Sequence, residues 1–342
     1  MTMIRVGIIG LGKMGLSHYA ILNVHPDVDL VAACDSSGMI LSALNRFSQV
    51  QTFKNYKEMI DKCNLDCVLI ATPTSWHAHM VHYAMEHNLH VFVEKPFCLT
   101  LEEGREMVKL AEQKRLANQV GYHNRFIACF DKVRQLIQDG AIGEVYHFTA
   151  ESYGQVVLRS KAATWRMKRS KGGGCLYDYA SHVIDLVNFI IGPPDRVSGT
   201  ILKSIFSQDV ADAVYSTLSY KNGTSGHLAV NWSDKTYRKM STQITVYGKS
   251  GKIITDRQEC KIFLWDKEGF GPLHAGWNIL YTTDLTKCVD YYLRGEEYSA
   301  QVDYFIESVK NRRFENINSF ASALQTDILI DHVISDAIER NK

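Results

Sequence analysis

Residues 4–15 have the sequence IRVGIIGLGKMG, in which a short apolar run leads into glycines spaced as G-x-G-x-x-G. The apolar run predicts a buried strand, and residues 14–24 after the glycines predict a helix. Asp35 ends the next predicted strand, residues 28–35, twenty residues after Gly15. A strand, a glycine turn, a helix and an acidic residue at this spacing are typical of a dinucleotide-binding Rossmann unit.

Each glycine of this loop has its own physical role. Gly10 permits a tight turn, Gly12 lets the backbone approach a diphosphate, and Gly15 lets the helix pack closely on the strand. A helix N-terminus presents N–H groups and the positive end of the helix dipole, so Lys13 and Met14 begin an anion-binding element. We therefore expect the loop from Gly10 to Gly15 to bind the cofactor.

Asp35 and the residues after it bear on the choice of cofactor. We expect the Asp35 carboxylate, with Ser36 beside it, to accept hydrogen bonds from ribose hydroxyls. The carboxylate repels a 2′-phosphate, and Ser36, Ser37 and Gly38 supply no cation to hold one. The sequence therefore favours NAD. NADP stays open, because the small serines leave room for it.

The pattern of predicted elements changes near residue 122. Before it, continuous apolar strands alternate with helices, which predicts a parallel sheet covered on both faces. Thr100 and Glu103 predict a capping box at the start of one of these helices, residues 101–115. After residue 122, a series of strands that begins with residues 145–153 and ends with residues 261–265 predicts a mostly antiparallel open sheet, and helices return at residues 301–310 and 319–340. The predicted fold class is α/β. It combines an N-terminal Rossmann domain with a doubly wound parallel sheet, residues 1–122, and a C-terminal α+β domain, residues 123–342.

The composition excludes several classes of protein. The 342 residues carry a formal net charge of +1, which argues against partnership with nucleic acid or an anionic membrane. No apolar run approaches membrane-spanning length, and residues 4–9 lack the flanks of a signal peptide. The eight cysteines form no CxxC pair, and the histidines form no metal-spaced cluster. We therefore expect reduced thiols, a cytoplasmic location and no metal.

Two short motifs follow predicted strands of the N-terminal half. Ligands in a doubly wound sheet bind beyond the carboxyl ends of the strands, which is where both motifs stand. They are Thr72-Pro73 with His77, and Glu94-Lys95-Pro96. We therefore expect Lys95 to project toward the nicotinamide.

A third motif lies near the middle of the chain. The glycines at 172–174 precede Asp178 and His182, which are four residues apart and so share one face of a helix. By itself, an Asp/His pair at that spacing is usually a surface pair. The glycines either let backbone pass close to a ligand or form a flexible loop.

Taken in order, these motifs resemble the glucose–fructose oxidoreductase and inositol dehydrogenase family (Gfo/Idh/MocA) over essentially the whole chain. Thr74 departs from the pattern, because many relatives carry asparagine after the proline. The resemblance implies hydride transfer at a secondary alcohol of a sugar, polyol or nucleotide sugar. It also implies that the C-terminal domain binds substrate and builds a homodimer or homotetramer through its sheet.

The resemblance also implies that the cofactor is lined by Thr72, Pro73, His77, Glu94 and Lys95. For His77, a cap at the start of the following helix is the alternative. The resemblance makes Lys95, Asp178 and His182 the catalytic set.

The chemistry of alcohol oxidation agrees with that assignment. The alcohol loses a hydride to the nicotinamide and a proton to a base, and histidine has a suitable intrinsic pKa. We predict His182 as the base, Asp178 as the group that orients it and a substrate hydroxyl, and Lys95 as a donor to the reacting oxygen. The alternative gives Lys95 the base role after burial lowers its pKa. The sequence does not separate the two.

Further residues are candidates for substrate binding. Asn124 and Arg125 follow the last Rossmann strand, with a structural salt bridge as the alternative. Trp165 and Arg166 combine an aromatic platform with a cation, which suits a sugar face or an anionic substituent; an anchored loop is the alternative. A basic loop surrounds them and predicts either a solvated surface or an anionic sugar substrate. Its members are Arg159, Lys161, Arg166, Lys168, Arg169 and Lys171.

Two other functions fit the same scaffold. A reductase of conjugated or aromatic substrates is the first, although some relatives of that kind lack the Asp/His pair. A non-enzymatic dinucleotide sensor is the second, and it would have no need for Lys95 together with Asp178 and His182.

Overall fold

The computed structural model describes residues 3–156, 165–168, 172–265 and 270–340. The chain divides into two compact units, and each unit combines two segments of sequence. The first unit is Met1–His123 with Cys288–Leu324, and the second is Asn124–Lys287 with Gln325–Lys342. The sequence predicts one continuous C-terminal domain from residue 123, whereas the structure assigns residues 288–324 to the first unit.

The helices and strands of both units are numbered here in chain order. The α-helices are α1 Lys13–Val24, α2 Gly38–Phe47, α3 Tyr56–Lys62, α4 His77–Glu86, α5 Leu101–Lys114, α6 Ala128–Gln138, α7 Ser181–Ile190, α8 Thr282–Leu285, α9 Glu296–Lys310 and α10 Phe320–Arg340. The strands are β1 Ile4–Ile9, β2 Val28–Cys34, β3 Gln51–Phe53, β4 Cys67–Ile70, β5 His90–Val93, β6 Asn118–Val120, β7 Val145–Tyr153, β8 Arg196–Lys203, β9 Ala213–Ser219, β10 Ser225–Asn231, β11 Gln243–Gly248, β12 Gly251–Thr255, β13 Glu259–Leu264 and β14 Gly276–Tyr281.

The first unit contains a six-stranded sheet in the order β3-β2-β1-β4-β5-β6. All of its neighbouring strands are parallel, and this is the doubly wound Rossmann order. Helix α5 begins with the predicted capping box, in which Thr100 and Glu103 each bind the other's backbone N–H. Strand β3 and helix α3 were not predicted, because β3 has only three residues, none of them buried, and α3 has only seven.

Helix α9 explains why residues 288–324 belong to the first unit. Val302, Phe305 and Ile306 are buried in the same apolar cluster as the central strands of the parallel sheet. The Phe305 ring meets the Phe92 ring edge-on, with centroids 5.8 Å apart. This burial of apolar surface places the helix with the sheet, although more than 200 residues of chain separate the two rings.

The second unit contains an eight-stranded sheet in the order β14-β13-β12-β11-β7-β10-β9-β8. Every pair is antiparallel except β7 with β10, so the predicted mostly antiparallel open sheet is confirmed. One face carries buried side chains such as Phe148, Val246 and Ile262, and helices α6 and α7 pack on strands of this sheet. Strand β7 has the predicted bounds, while β12 and β14 were not predicted.

None of the helices in the described ranges is both long and apolar enough to cross a membrane. All eight cysteines lie in those ranges, and none of them forms a disulfide.

Candidate active site

The glycine loop joins β1 to α1 in the first unit. Gly10 has a φ of +91°, a backbone conformation that favours glycine. A Cβ atom at Gly15 would lie 1.9 Å from the Gly10 carbonyl oxygen, so only glycine allows the helix to start this close to the strand. A Cβ atom at Gly12 would meet nothing within 4 Å, and no side chain caps the helix N-terminus. The loop therefore presents open backbone and uncapped N–H groups, as anion binding requires.

Asp35 lies at the carboxyl end of β2 and is bound to this loop. Its Oδ2 accepts a hydrogen bond from the Leu11 N–H at 2.6 Å, and its Oδ1 accepts one from the Ser37 N–H at 2.7 Å. A carboxylate has further lone pairs beyond these two bonds. The acidic group that the sequence places twenty residues after Gly15 is thus held next to the loop, with Ser36 exposed beside it.

His77 links the two turns that follow β4 and β5. Its Nδ1 lies 3.0 Å from the Pro96 carbonyl oxygen, and its Nε2 lies 3.0 Å from the Thr72 carbonyl oxygen. The ring is 1% exposed, and burial lowers the pKa of His77. Neither a helix-start cap nor a surface residue, His77 ties together the Thr72-Pro73 turn and the Glu94-Lys95-Pro96 turn.

Glu94 has partners within the first unit. Its Oε1 lies 2.7 Å from Nε2 of His18, and its Oε2 accepts a hydrogen bond from the Lys95 backbone N–H at 3.2 Å. His18 was not predicted from the sequence, although it stands three residues after Gly15 on the first turns of a helix that packs on the sheet. The spacing of His18 from the glycine loop is the signal that could have found it.

The glycine-rich segment of the second unit folds back on the turn at 165–168. The Gly173 N–H donates to the Lys168 carbonyl oxygen at 3.0 Å, and the Gly174 N–H donates to that of Arg166 at 2.8 Å. Gly172 and Gly174 have φ values of +72° and +102°, which explains the need for glycine at these two positions. The segment is therefore a hydrogen-bonded turn in front of Asp178.

Asp178 and His182 lie where the turn becomes a helix. Residues Leu176–Ala180 form a π-helical turn, in which the Ser181 N–H donates to the Leu176 carbonyl oxygen, and α7 continues from Ser181. The predicted α-helical spacing is thus wrong in detail. Because a π turn bonds i to i+5, residues four apart are slightly less than one turn apart and still face one side. Asp178 and His182 are 6% and 4% exposed, which excludes a surface pair.

Arg166 and Asp178, two of the predicted substrate residues, contact each other. Nε of Arg166 donates to Oδ2 of Asp178 at 2.8 Å. The Arg166 side chain is 41% exposed and that of Asp178 is 8% exposed. One end of this ion pair is therefore buried and the other reaches solvent.

Arg125 forms a buried ion pair in the second unit. It donates to both carboxylate oxygens of Asp185, from Nε at 2.8 Å and from Nη2 at 2.5 Å. Arg125 is 3% exposed and Asp185 is fully buried. This geometry is the structural salt bridge that the sequence left as an alternative. Asn124, also fully buried, accepts a hydrogen bond from Arg257 at 2.9 Å.

Part of the predicted basic loop lies outside the described residues. This applies to Arg159, Lys161, Arg169 and Lys171, and also to the side chain of Trp165. Lys168 is exposed.

Asp212 is a further residue whose structural role was not predicted from the sequence. It is fully buried and accepts hydrogen bonds from the backbone N–H groups of Ile205, Phe206 and Ser207 and from Nε1 of Trp232. Burial alone would raise the pKa of Asp212, but these hydrogen bonds outweigh it and the pKa is lowered. The neighbouring Ala211 carbonyl oxygen accepts the Cys175 N–H at 2.9 Å. Asp212 therefore anchors a loop that holds the glycine-rich segment.

Two models of known protein families match this chain, one before residue 123 and one after it. Residues 4–122 match the family described as "Oxidoreductase family, NAD-binding Rossmann fold". Residues 130–254 match the GFO/IDH/MocA C-terminal domain. This chain belongs to the Gfo/Idh/MocA oxidoreductase family. It is an NAD-dependent oxidoreductase.

Relatives of this Gfo/Idh/MocA oxidoreductase include characterised dehydrogenases. The chain is 25% identical to myo-inositol 2-dehydrogenase of Thermotoga maritima over 314 residues, which cover 90% of this chain and 88% of that protein. It is 28% identical to inositol 2-dehydrogenase of Rhizobium meliloti, covering 87% and 90%. Levoglucosan dehydrogenase, solved with NADH and levoglucosan, has the same fold, with a TM-score of 0.86, 21% identity and coverage of 98% and 97%.

The glycine loop of this Gfo/Idh/MocA oxidoreductase fits NAD. The open backbone at Gly12 and the uncapped start of α1 suit a diphosphate, and the Asp35 carboxylate beside them suits ribose hydroxyls and repels a 2′-phosphate. In the described ranges, no group of three or more His, Cys, Asp or Glu side chains could hold a metal ion.

The predicted site residues divide between the two units. The first unit contains all the cofactor candidates and Lys95, and the second contains Asn124, Arg125, Trp165, Arg166, Asp178 and His182. Within the second unit, the structure brings Arg166 and Asp178 together and gives Arg125 a separate partner.

Proposed function

We propose that this oxidoreductase is a dehydrogenase that transfers hydride between NAD and a secondary alcohol or ketone of a sugar, a polyol or a nucleotide sugar. The observation that carries the proposal is the burial of Asp178 and His182 on one side of the helix that follows the glycine-rich turn. Buried ionisable groups in that arrangement suit proton transfer better than a solvated surface. The inositol dehydrogenases among the relatives support the same substrate class.

Each proposed catalytic side chain has a defined task. The nicotinamide supplies the hydride acceptor when NAD is bound. His182 accepts the proton that the alcohol loses, and Asp178 stabilises the imidazolium that forms. Lys95 donates a hydrogen bond to the reacting oxygen and stabilises its developing negative charge. The ion pair with Arg166 keeps the Asp178 carboxylate in one orientation.

The cofactor and substrate contacts form the second part of the proposal. Thr72, Pro73 and His77 shape the turn beside the nicotinamide, and the loop from Gly10 to Gly15 with Asp35 and Ser36 binds the rest of NAD. The Glu94 carboxylate also supports the turn, because it binds His18 and the Lys95 peptide. Arg166 faces an anionic substituent where the substrate has one.

A substrate panel tests the proposed function. The purified protein is incubated with NAD and, one at a time, myo-inositol, levoglucosan, simple glucosides and nucleotide sugars, while the absorbance of NADH is followed. We expect saturable NADH formation with at least one member. Binding of NAD without turnover on any member would favour the dinucleotide sensor. Oxidation of NADH by a conjugated aromatic ketone alone would favour the reductase.

We also propose that the second unit forms a homodimer or homotetramer through its sheet. Side chains on β14 alternate, and Trp277, Ile279 and Tyr281 are exposed by 50%, 46% and 51%. Aromatic and aliphatic side chains in one row on an edge strand favour contact with a second copy of the chain.

A cytoplasmic location is part of the proposal as well. Seven of the eight cysteines are buried, and none is disulfide-bonded. Thiols kept in this state are typical of a reducing compartment.

A further inference from the structure

A fully buried histidine lies behind the turn that carries Lys95. His18 is on α1, and its ring meets the Phe92 ring edge-on with centroids 5.3 Å apart. Its Nε2 lies 2.7 Å from Oε1 of Glu94, which is 8% exposed. Among the described residues, its Nδ1 has no hydrogen-bond partner. The proton of a neutral ring therefore belongs on Nε2, where it is donated to the Glu94 carboxylate.

Gly121 leaves the space that the Glu94 side chain occupies. A Cβ atom at Gly121 would lie 2.9 Å from the Glu94 carboxyl carbon and from both of its oxygens. The Gly121 N–H donates to the Val93 carbonyl oxygen at 2.8 Å, which extends the pairing of β5 with β6 to this point. The carboxylate thus lies across the backbone of the next strand, and any larger residue there would displace it.

The carboxylate also reaches the residue that follows it. Oε2 of Glu94 accepts the Lys95 backbone N–H at 3.2 Å, while Oε1 binds His18. One carboxylate therefore connects the helix that follows the glycine loop to the peptide of Lys95. The bond to His18 is buried and short, and hydrogen bonds of this kind to a charged group are strong and directional. His18 therefore fixes the Glu94 carboxylate, which in turn holds the Lys95 peptide through the part-buried bond at 3.2 Å.

We propose that His18 is a positioning residue for Lys95 and acts through Glu94. The inference rests on the proposed function, in which the Lys95 ammonium group contacts the reacting oxygen. His18 holds the Glu94 carboxylate over Gly121, and the carboxylate holds the Lys95 peptide. This arrangement directs the Lys95 side chain before substrate binds, which lowers the cost of orienting it during the reaction.

Kinetic variants test the inference with matched controls. His18→Leu removes the donor, His18→Gln keeps an N–H close to the position of Nε2, and Gly121→Ala pushes on the carboxylate without changing His18. Ile21→Val, buried on the same helix, is the control for loss of packing alone. Turnover is measured with the best substrate of the panel, and NAD affinity by fluorescence titration.

We expect His18→Leu and Gly121→Ala to lower kcat roughly 10- to 100-fold, since a displacement of about 1 Å can cost that much. NAD affinity should stay within about threefold, because the glycine loop is unchanged. His18→Gln should recover most of the turnover, and Ile21→Val should match the unmodified protein. In the double variant His18→Leu/Glu94→Gln, kcat should be no lower than in the slower single variant, because both changes break one chain of contacts.

A second measurement needs no substrate. Hydrogen–deuterium exchange followed by mass spectrometry reports the backbone N–H of Lys95 in peptides that span residues 94–98. We expect exchange to rise about fivefold or more in His18→Leu and Gly121→Ala, and to stay unchanged in His18→Gln and Ile21→Val.

The outcomes separate this inference from the proposed function. Unchanged exchange in His18→Leu, or a kcat within about twofold of the unmodified protein, would overturn the positioning role. If exchange rises in His18→Leu while Lys95→Met keeps normal turnover, the coupling between His18 and the Lys95 peptide is upheld and the catalytic role of Lys95 is refuted. A His18→Gln variant as slow as His18→Leu would show that the histidine acts by shape and not as a donor.

Discussion

At the scale of single residues, burial decides what the two proposed proton-handling side chains can do. Asp178 and His182 are both almost inaccessible, yet Asp178 is bound to an arginine that reaches solvent. A carboxylate held in this way keeps one orientation, while the histidine beside the same turn is the group whose intrinsic pKa suits proton exchange near neutral pH. The role of His182 as the base and the role of Asp178 as the stabilising group can therefore be tested separately.

The first prediction concerns the base. Alcohol oxidation should rise with pH as His182 loses its proton, and His182→Ala should abolish that limb and lower turnover by about two to four orders of magnitude. Asp178→Asn should keep the fold but lower activity, because an amide does not offset the charge that forms on the imidazole. The pH dependence of kcat/KM checks both. If the limb survives in His182→Ala but disappears in Lys95→Met, the base is Lys95.

The second prediction separates Arg166 from its exposed neighbour Lys168. Arg166→Ala should lower kcat on any substrate, since Asp178 loses the partner at 2.8 Å that orients it. Lys168→Ala should raise KM only for an anionic substrate, and salt should weaken the effect. Steady-state kinetics with one neutral and one phosphorylated substrate provide the comparison. Equal losses from the two changes on the neutral substrate would contradict the positioning of Asp178 by Arg166.

At the scale of elements, the site of the first unit depends on how turns are tied to one another. His77 stands at the start of α4, but its two ring nitrogens each lie 3.0 Å from the carbonyl oxygen of a turn at the carboxyl edge of the sheet. In the second unit, a π-helical turn and the loop anchored by Asp212 set the position of Asp178. Local departures from regular helix therefore position the proposed site.

The third prediction follows from the burial of His77. Its pKa lies below the ordinary value of 6.5, so below about pH 6.5 the unfolded chain binds a proton that the folded chain does not. The free energy of unfolding should therefore fall as the pH drops from 7 to 5. In His77→Gln this fall should be smaller, although the variant should be about 1–3 kcal/mol less stable at pH 7.

Urea titrations at several pH values measure that slope. His79→Gln, an exposed change on the same helix, is the matched control and should leave the slope as it is. If the slope is unchanged in His77→Gln, another group causes the loss of stability at low pH.

At the scale of the whole molecule, the proposed surface for assembly is the eight-stranded sheet. Register pairs Trp277 with Phe263 and Ile279 with Lys261, so β13 and β14 present a mixed aromatic and charged face. The fourth prediction is that Trp277→Asp lowers the oligomer to the mass of a single chain, because an aspartate on a buried interface loses its hydration. Light scattering coupled to size-exclusion chromatography measures the mass.

Phe47→Asp is the control for that measurement. Phe47 is 80% exposed on α2 of the first unit and lies far in sequence from the sheet. We expect this change to leave the mass unaltered. Dissociation by Phe47→Asp and not by Trp277→Asp would move the interface to the Rossmann unit.

Local sequence patterns were sufficient for much of the fold and for the cofactor loop. The glycine spacing, the acidic residue after β2 and the capping box of α5 all depend on residues close together in the chain. Strand β7 has the predicted bounds because its alternation of buried and half-exposed residues is regular. Strand β3 has only three residues, and the sequences of β12 (GKIIT) and β14 (GWNILY) do not alternate between polar and apolar residue types, so their patterns did not stand out.

The Rossmann unit and the mostly antiparallel sheet could be predicted from the sequence, because these follow from spacing between near neighbours. The family and the candidates for chemistry came from the resemblance that its motifs carry. Which side chains meet depends on tertiary packing. His18 and Glu94 are 76 residues apart, and Arg125 and Asp185 are 60 apart. Such pairs form when strands and helices pack, and the pattern around either residue contains no trace of its partner. The same reason explains why α9 joins the first sheet: its apolar face is visible in the sequence, but the surface that buries it is not.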